Sequence, residues 1–222
     1  VSIQTTNTII ESADLIITQT AQQAELLQQN FGRESKIVTN PIDLETFASP
    51  LRAGYALWVG KSDEKKNPML LLSLAKYVPE IPFIMILNNT NQELFDQCIS
   101  QCPDNVEIIE SVPFGEIEKY FAGATILINT SPLEGFANTF LQAGKYKVPV
   151  LSHQVNPDEY ITTWNCGVVA NGDDAIMINT LQRLQEDINW RNSLGENHYQ
   201  YVESNHKLSA KVEELKNYLL TL

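Results

Sequence analysis

Along the chain, short apolar runs of strand length alternate with stretches in which apolar residues recur every three or four positions. LIIT (Leu15–Thr18) reads as a strand, AQQAELLQQNF as an amphipathic helix closed by Gly32, and KIVT (Lys36–Thr39) as a second strand. Asn40-Pro41 ends that strand, and the turn-rich segment IDLETFASPLRAG leads to Gly54. Beyond it YALWVG (Tyr55–Gly60), PFIMIL (Pro82–Leu87), VEII (Val106–Ile109), TILINT (Thr125–Thr130), PVLS (Pro149–Ser152) and GVVA (Gly167–Ala170) are predicted strands. Helices are predicted at NPMLLLSLAKYV, where Pro68 sits in the first turn, and near Gln92–Gln101, Gly115–Ala122, Asn138–Lys145 and Asp158–Thr163. From about Asp173 onward only helical periods remain, enough for two or three helices.

Strand–helix–strand alternation with strands rich in Val, Ile and Leu predicts an α/β fold: a Rossmann-like parallel sheet flanked by helices on both faces, with a helical C-terminus. Open sheets of this kind hold ligands beyond the carboxyl ends of their strands. The loops there are GKSDEKKNP, NNTN, SVPFGE, SPLEGFANT and HQVNPDE. The segment from Asn40 to Gly54 is the expected boundary. Residues 1–48 then form the end of a first domain with its connector, and 49–222 a complete sheet domain.

Charge narrows the ligands. The 222 residues carry 15 Lys+Arg against 27 Asp+Glu, a formal net charge of −12. A field of that sign disfavours nucleic acid and anionic membranes, so an anionic ligand needs a local basic pocket. The longest apolar run, Ile81 to Leu87, is strand length and contains Pro82, too short for a membrane span. The opening VSIQTTNTIIESAD has no basic segment followed by an apolar one and is not read as a signal peptide. Cys98 and Cys102 lie four apart without a second ligand pair, and His153, His198 and His206 are scattered. The expectation is free thiols in a reducing cytoplasm and no metal site.

Gly60-Lys61-Ser62 invites a phosphate-loop reading, which fails. Gly54 precedes Gly60 by five intervening residues rather than four, and those residues, YALWV, are strand. Lys61 and Lys66 instead flank the start of the helix at Pro68, where two ammonium groups and free helix amides suit an anion; the alternative is a pair of solvated loop lysines. In SPLEGFANTFLQAGKYKVPVLS, Gly135 permits close approach of a ligand, and the amides of Phe136, Ala137, Asn138 and Thr139 lead into a helix. Glu134 repels phosphate but suits sugar hydroxyls, with a helix-dipole cap as the alternative, and Gln142 lies one to two turns further on.

Taken together these segments resemble the donor half of a GT-B glycosyltransferase, in particular the large retaining family 4. ADLIITQT (Ala13–Thr20) resembles the last strand motif of that family's first domain, and TNPIDLETF (Thr39–Phe47) its interdomain "pNGvDxxxF", with Pro41 at the usual Gly. WVGKSDEKKNP resembles "vGRlxxeKnp", and SPLEGFANTFLQAGKYKVPVLS resembles "pSxxEGfpxxxlEAxaxgxPVi". The resemblance implies that Lys61 and Lys66 neutralise the diphosphate of a UDP- or GDP-sugar, with Gly60 at the turn. Glu134 would contact the transferred sugar, Gly135 and the amides of Phe136 to Thr139 the β-phosphate, and Gln142 the ribose. It also implies retaining transfer without a metal or other cofactor, and an acceptor of unknown identity held by a first domain mostly absent here. The runners-up are a non-catalytic nucleotide-sugar-binding module acting with a partner chain and a GT-B-fold nucleotide-sugar epimerase.

Two departures stand out. Gln142 replaces the second glutamate of the family motif and gives up a charge-assisted bond. Lys61 replaces arginine and loses the bidentate fork while keeping the charge. At the C-terminus, Leu208, Val212, Leu215, Leu219 and Leu222 recur at helical spacing, a stripe expected to meet core or a neighbouring domain.

Overall fold

The computed structural model describes residues 3–45 and 54–220. Helix α1 (Ile3–Ser12), strand β1 (Ile17–Thr18), helix α2 (Ala21–Phe31) and strand β2 (Lys36–Ile37) come first, and β1 pairs with β2 in parallel. Thr20 caps α2 by accepting from the Gln23 amide, and Gly32 closes it in the left-handed conformation (φ 64°), as the sequence predicts.

The second unit is a six-stranded parallel sheet. Its strands are β3 (Tyr55–Lys61), β4 (Phe83–Asn88), β5 (Val106–Ile109), β6 (Ala124–Asn129), β7 (Val150–Ser152) and β8 (Gly167–Val169). Their spatial order is β5-β4-β3-β6-β7-β8, so the chain reverses direction across the sheet between β3 and β6. Helices α3 (Pro68–Lys76), α4 (Gln92–Ser100), α5 (Glu118–Gly123), α6 (Asn138–Lys145) and α7 (Tyr160–Thr163) connect the strands. They are followed by α8 (Asp174–Glu186), α9 (Ile188–His206) and α10 (Leu208–Leu219).

Alternation along β3 divides two cores, because successive strand side chains point to opposite faces. Ala56 and Trp58 face one core with Leu71, Leu74, Met177 and Leu181. Leu57 faces the other with Phe121, Phe140, Leu141 and Val202. Each fully buried Leu or Phe contributes roughly 1.5–3 kcal/mol of transfer free energy. Helix α9 packs closely against the turn that follows α6. A Cβ on Gly195 would stand 2.1 Å from the Lys147 carbonyl oxygen, so only glycine fits there.

Several boundaries depart from the sequence expectation. Helix α1 is not among the predicted elements, because IQTTNTIIES is dominated by β-branched Ile and Thr, which have weak helix propensity. Of LIIT and KIVT only two residues each pair as strand, since β1 and β2 have no partner other than each other among the described residues. The helix expected at Gly115–Ala122 is a 3-10 turn (Phe114–Glu116) followed by α5. The one expected at Asp158–Thr163 opens with left-handed Asp158 and Glu159, so regular helix starts only at Tyr160. The domain boundary at 48/49, Phe47 of the connector motif and Leu222 of the C-terminal stripe lie outside the described residues. No helix among the described residues is long and apolar enough to cross a membrane.

Candidate functional site

The reversal between β3 and β6 opens a crevice at the carboxyl ends of two adjacent strands, the position where open α/β sheets hold ligands. Both informative loops leave from these strands. Lys61 ends β3 in an exposed position, in register with Asn88 of β4. Ser62 then turns inward and becomes fully buried, and its hydroxyl oxygen accepts from the amides of Thr90 and Asn91 at 2.8 Å each. One hydroxyl thereby locks the β3 exit to the NNTN loop.

A 3-10 turn follows, capped by Asp63, whose carboxylate accepts from the Lys65 amide. It carries Lys66 back over the crevice, and left-handed Asn67 (φ 47°) redirects the chain into α3 with Pro68 at its first position. The backbone of Lys66 is fixed from the neighbouring loop. Thr130 donates to the Lys66 carbonyl at 2.7 Å and accepts from the buried Trp58 indole at 2.9 Å. Trp58 also explains Gly60, because a Cβ there would stand 2.5 Å from the indole ring.

Across the crevice Glu134 meets this loop. Lys66 Nζ donates to Glu134 Oε2 at 2.7 Å, and Asn129 Nδ2 donates to Oε1 at 2.9 Å. The Glu134 side chain is 12% exposed against 32% for Lys66, so the carboxylate is sheltered while the ammonium still faces the opening. Burial pushes the Glu134 carboxyl up, but hydrogen bonds from Lys66, Ser131 and Asn129 and the Lys66 charge outweigh it and hold the group below the ordinary carboxylate range. The result is an ionised acceptor and a cation side by side at the switch point.

The remaining predicted residues divide. Gly135 is exposed, and a Cβ there would stand 2.5 Å from the end of the flexible Gln23 side chain of α2. Phe136 is anchored by its ring, stacked on Tyr160 at 5.7 Å and against His206 at 5.1 Å. Ala137 is the N-cap of α6, and no side chain caps that helix, which leaves its first-turn amides toward Asn138 and Thr139 to other partners. Asn138 accepts from Asn40 of the connector at 2.8 Å, and with Gln142 it lines a cleft of about 490 Å³ beside the connector.

Beneath Phe136 lies an aromatic and imidazole cluster that the sequence did not join up. Tyr160 stacks on Tyr201 at 4.3 Å, and His198 and His206 close the group. His206 Nδ1 lies 2.7 Å from the Asn40 carbonyl oxygen, so it carries the proton, and Nε2 accepts from the Tyr201 hydroxyl. Burial pushes both imidazoles down to about 4 against the pull of their backbone hydrogen bonds, and each is neutral. His153 stands apart beside Asp174 at 3.0 Å. The residues that reasoning from sequence missed are Trp58, Asn129 and Thr130. Asn129 and Thr130 did carry a signal, as polar residues closing the apolar run TILINT at a strand's carboxyl end, whereas Trp58 reads as one more apolar strand position. Among the described residues no group of three or more His, Cys, Asp or Glu is placed to hold a metal ion.

Residues 53–187 match a family described as "Glycosyl transferases group 1". Comparison with curated protein sequences finds no match. Among solved structures the chain is similar to sucrose-phosphate synthase from Thermosynechococcus elongatus (TM-score 0.84, 17% identity), covering 98% of this chain and 60% of that one. It is similar to Alr3699/HepE from Anabaena in complex with UDP-glucose (TM-score 0.86, 15% identity; 100% of this chain, 69% of that). A TarM variant from S. aureus, solved with fondaparinux, alpha-GlcNAc-glycerol and UDP, is a third (TM-score 0.83, 14% identity; 96% of this chain, 45% of that). At these identities the likeness is one of fold, and the chain spans 60% of the synthase and 45% of TarM.

Proposed function

The chain belongs to the glycosyl transferases group 1 family, and on that premise we propose that its crevice binds a nucleoside-diphosphate sugar for retaining transfer of the sugar to an acceptor. The sheet is the Rossmann-like sheet of a GT-B fold, shared with the glycosyltransferase structures it resembles. The observation that carries the reading is the Lys66–Glu134 pair at the switch point. A diphosphate needs a cation and outward-facing amides, and the sugar beyond it needs a hydroxyl acceptor, which an ionised carboxylate provides. Lys66, with Lys61 at the β3 exit, would stabilise charge developing on the departing diphosphate. Glu134 would fix the sugar, and the first-turn amides of α6 would meet the β-phosphate. The bound UDP-glucose of HepE supports a UDP-sugar as first candidate.

Residues 49–222 act as the donor-binding domain in this reading, and residues 1–48 belong with a first domain that holds the acceptor, supplied in cis or in trans. The lysines take the place of a metal, so binding is expected to persist in EDTA. The test is calorimetry of the full chain against UDP-, GDP- and ADP-sugars, with Lys66→Met as the control. A folded protein that binds none of them removes the proposal, as does unchanged affinity in Lys66→Met.

A further inference from the structure

Strain marks the loop that follows β7. The chain passes there through Asp158 (φ 46°, ψ 28°) and Glu159 (φ 58°, ψ 17°), two consecutive left-handed residues neither of which is glycine. Such a pair persists only where its surroundings hold it. Here the hold comes from the first unit. The Asp158 carboxylate accepts from the Ala21 amide at 2.8 Å with one oxygen and from the Gln22 amide at 3.1 Å with the other. These are the first two amides of α2, which have no partner within their own helix, so an anion 137 residues further along the chain caps it.

The same residue borders the donor loop SPLEGFANT on two sides. On one side its contact brings the start of α2 to Gly135. Gln23 Oε1 accepts from the Gln19 amide at 2.9 Å, and the Gln23 main-chain amide donates to the Thr20 hydroxyl at 3.1 Å. Held at both points, Gln23 places Nε2 beside Gly135, 2.5 Å from where a Cβ would stand. On the other side Tyr160 follows Asp158 by two residues, and the Phe136 ring stacks on it at 5.7 Å. Gly135 and Phe136 thus lie between α2 and α7. Asp158 belongs to both walls, because its side chain holds α2 while its backbone leads into α7.

We propose that Asp158 is a positioning residue of the donor loop. By capping α2 it holds the first unit against Gly135, and with Tyr160 behind Phe136 it fixes the turn between Glu134 and the first-turn amides of α6. The effect on ligand affinity rests on the nucleotide-sugar reading above; the effect on the loop itself does not.

The experiment uses the full chain, UDP-glucose as the probe, and two variants checked by thermal melting. Asp158→Gly removes the carboxylate and adopts φ 46° without strain, so a loss in this variant is not a backbone effect. Ala21→Pro breaks the contact from the other end. Proline suits the first position of α2, and Thr20 before it is already extended (φ −140°, ψ 156°), yet the amide that Asp158 receives is gone. A carboxylate that served α2 alone would leave the donor loop unchanged in both. As a positioning residue, its loss lowers the NMR order parameters of the Gly135 and Phe136 amides from the rigid range, about 0.85, toward the flexible range below about 0.6. UDP-glucose then binds about three- to tenfold more weakly. Asp158→Asn keeps one accepting oxygen and recovers part of both effects. Unchanged order parameters in either folded variant overturn the assignment, and so does a loosened loop that binds UDP-glucose as tightly as wild type. If wild type binds no nucleotide-sugar, the donor reading falls and the order parameters alone decide whether Asp158 holds the loop.

Discussion

Replacing Glu134 with glutamine separates the two roles assigned across the switch point. The carboxylate is 12% exposed and receives Lys66 at 2.7 Å and Asn129 at 2.9 Å, so the isosteric amide keeps the shape of the site and removes its negative charge. Two effects of opposite sign follow. Lys66 loses its counter-charge and becomes more available to a diphosphate. For a pair as open as this one, with Lys66 32% exposed, the coupling is about 0.5–1 kcal/mol, so a bare nucleoside diphosphate binds about two- to fivefold more tightly. A sugar hydroxyl that donated to a carboxylate now meets a neutral acceptor, at a cost of about 1–2 kcal/mol. The ratio of affinities for the nucleotide-sugar over its diphosphate therefore falls about five- to thirtyfold.

The assay is calorimetry of wild type and Glu134→Gln with both ligands between pH 6 and 8. Because the folded carboxyl lies below its ordinary value, it is ionised throughout that window and the wild-type ratio stays flat. A variant that binds the bare diphosphate more weakly, or that leaves the ratio unchanged, refutes the assignment of Glu134 to the sugar.

Further consequences are as direct. His198 and His206 have folded pKa values near 4, below the ordinary imidazole value of 6.5, so the unfolded chain takes up their protons first. The stability they favour is present above pH 6.5 and is lost as pH falls toward 4, by about 2 kcal/mol per histidine at pH 5; urea midpoints that match at pH 7.5 and pH 5 would contradict this. Asp158 accepts from the amides of Ala21 and Gln22 at the start of α2, so Asp158→Ala frees both, at about 1 kcal/mol. Hydrogen exchange should speed up at those two amides and stay unchanged in β3, and equal protection in the variant would count against the contact. Raising ionic strength from about 0.05 to 0.3 M weakens the lysine contacts but also screens the repulsive acidic field, so diphosphate affinity moves by less than about threefold; a loss above tenfold would show that the global charge plays no part.

The sheet was legible in the sequence because its strands are continuous apolar runs punctuated by Gly, Pro and Asn, which is how a strand buried on both faces must read. TILIN, for example, is buried at every position of β6. Right-handed crossovers limit how such strands connect but not their order, so the switch point is read from the structure. Lys66 and Glu134 could each be singled out by loop and chemistry. Their contact could not, because it spans 68 residues and exists only through the reversal of strand order. The N-terminal segment was least legible. Its strands are two residues long, and Ile17 and Ile37 remain 42% and 39% exposed, so burial imposes little pattern on the sequence there.

The same distinction explains Lys145. In sequence it is one more lysine at a helix end, where cations are common and usually solvated. The fold buries it to 4% exposure, and a buried ammonium must find a carboxylate, which it does in Glu118, 27 residues earlier. Helical periodicity places Lys145 on α6 but cannot say that α5 crosses at that level or that the connector leaves a cleft beyond it. The chain holds two carboxylates by the same device. Glu134 and Glu118 are each pinned by a lysine from another element and each open on one side. In a protein of net charge −12 most acidic groups repel one another into solvent. These two are fixed against cations, which holds each acceptor in one orientation.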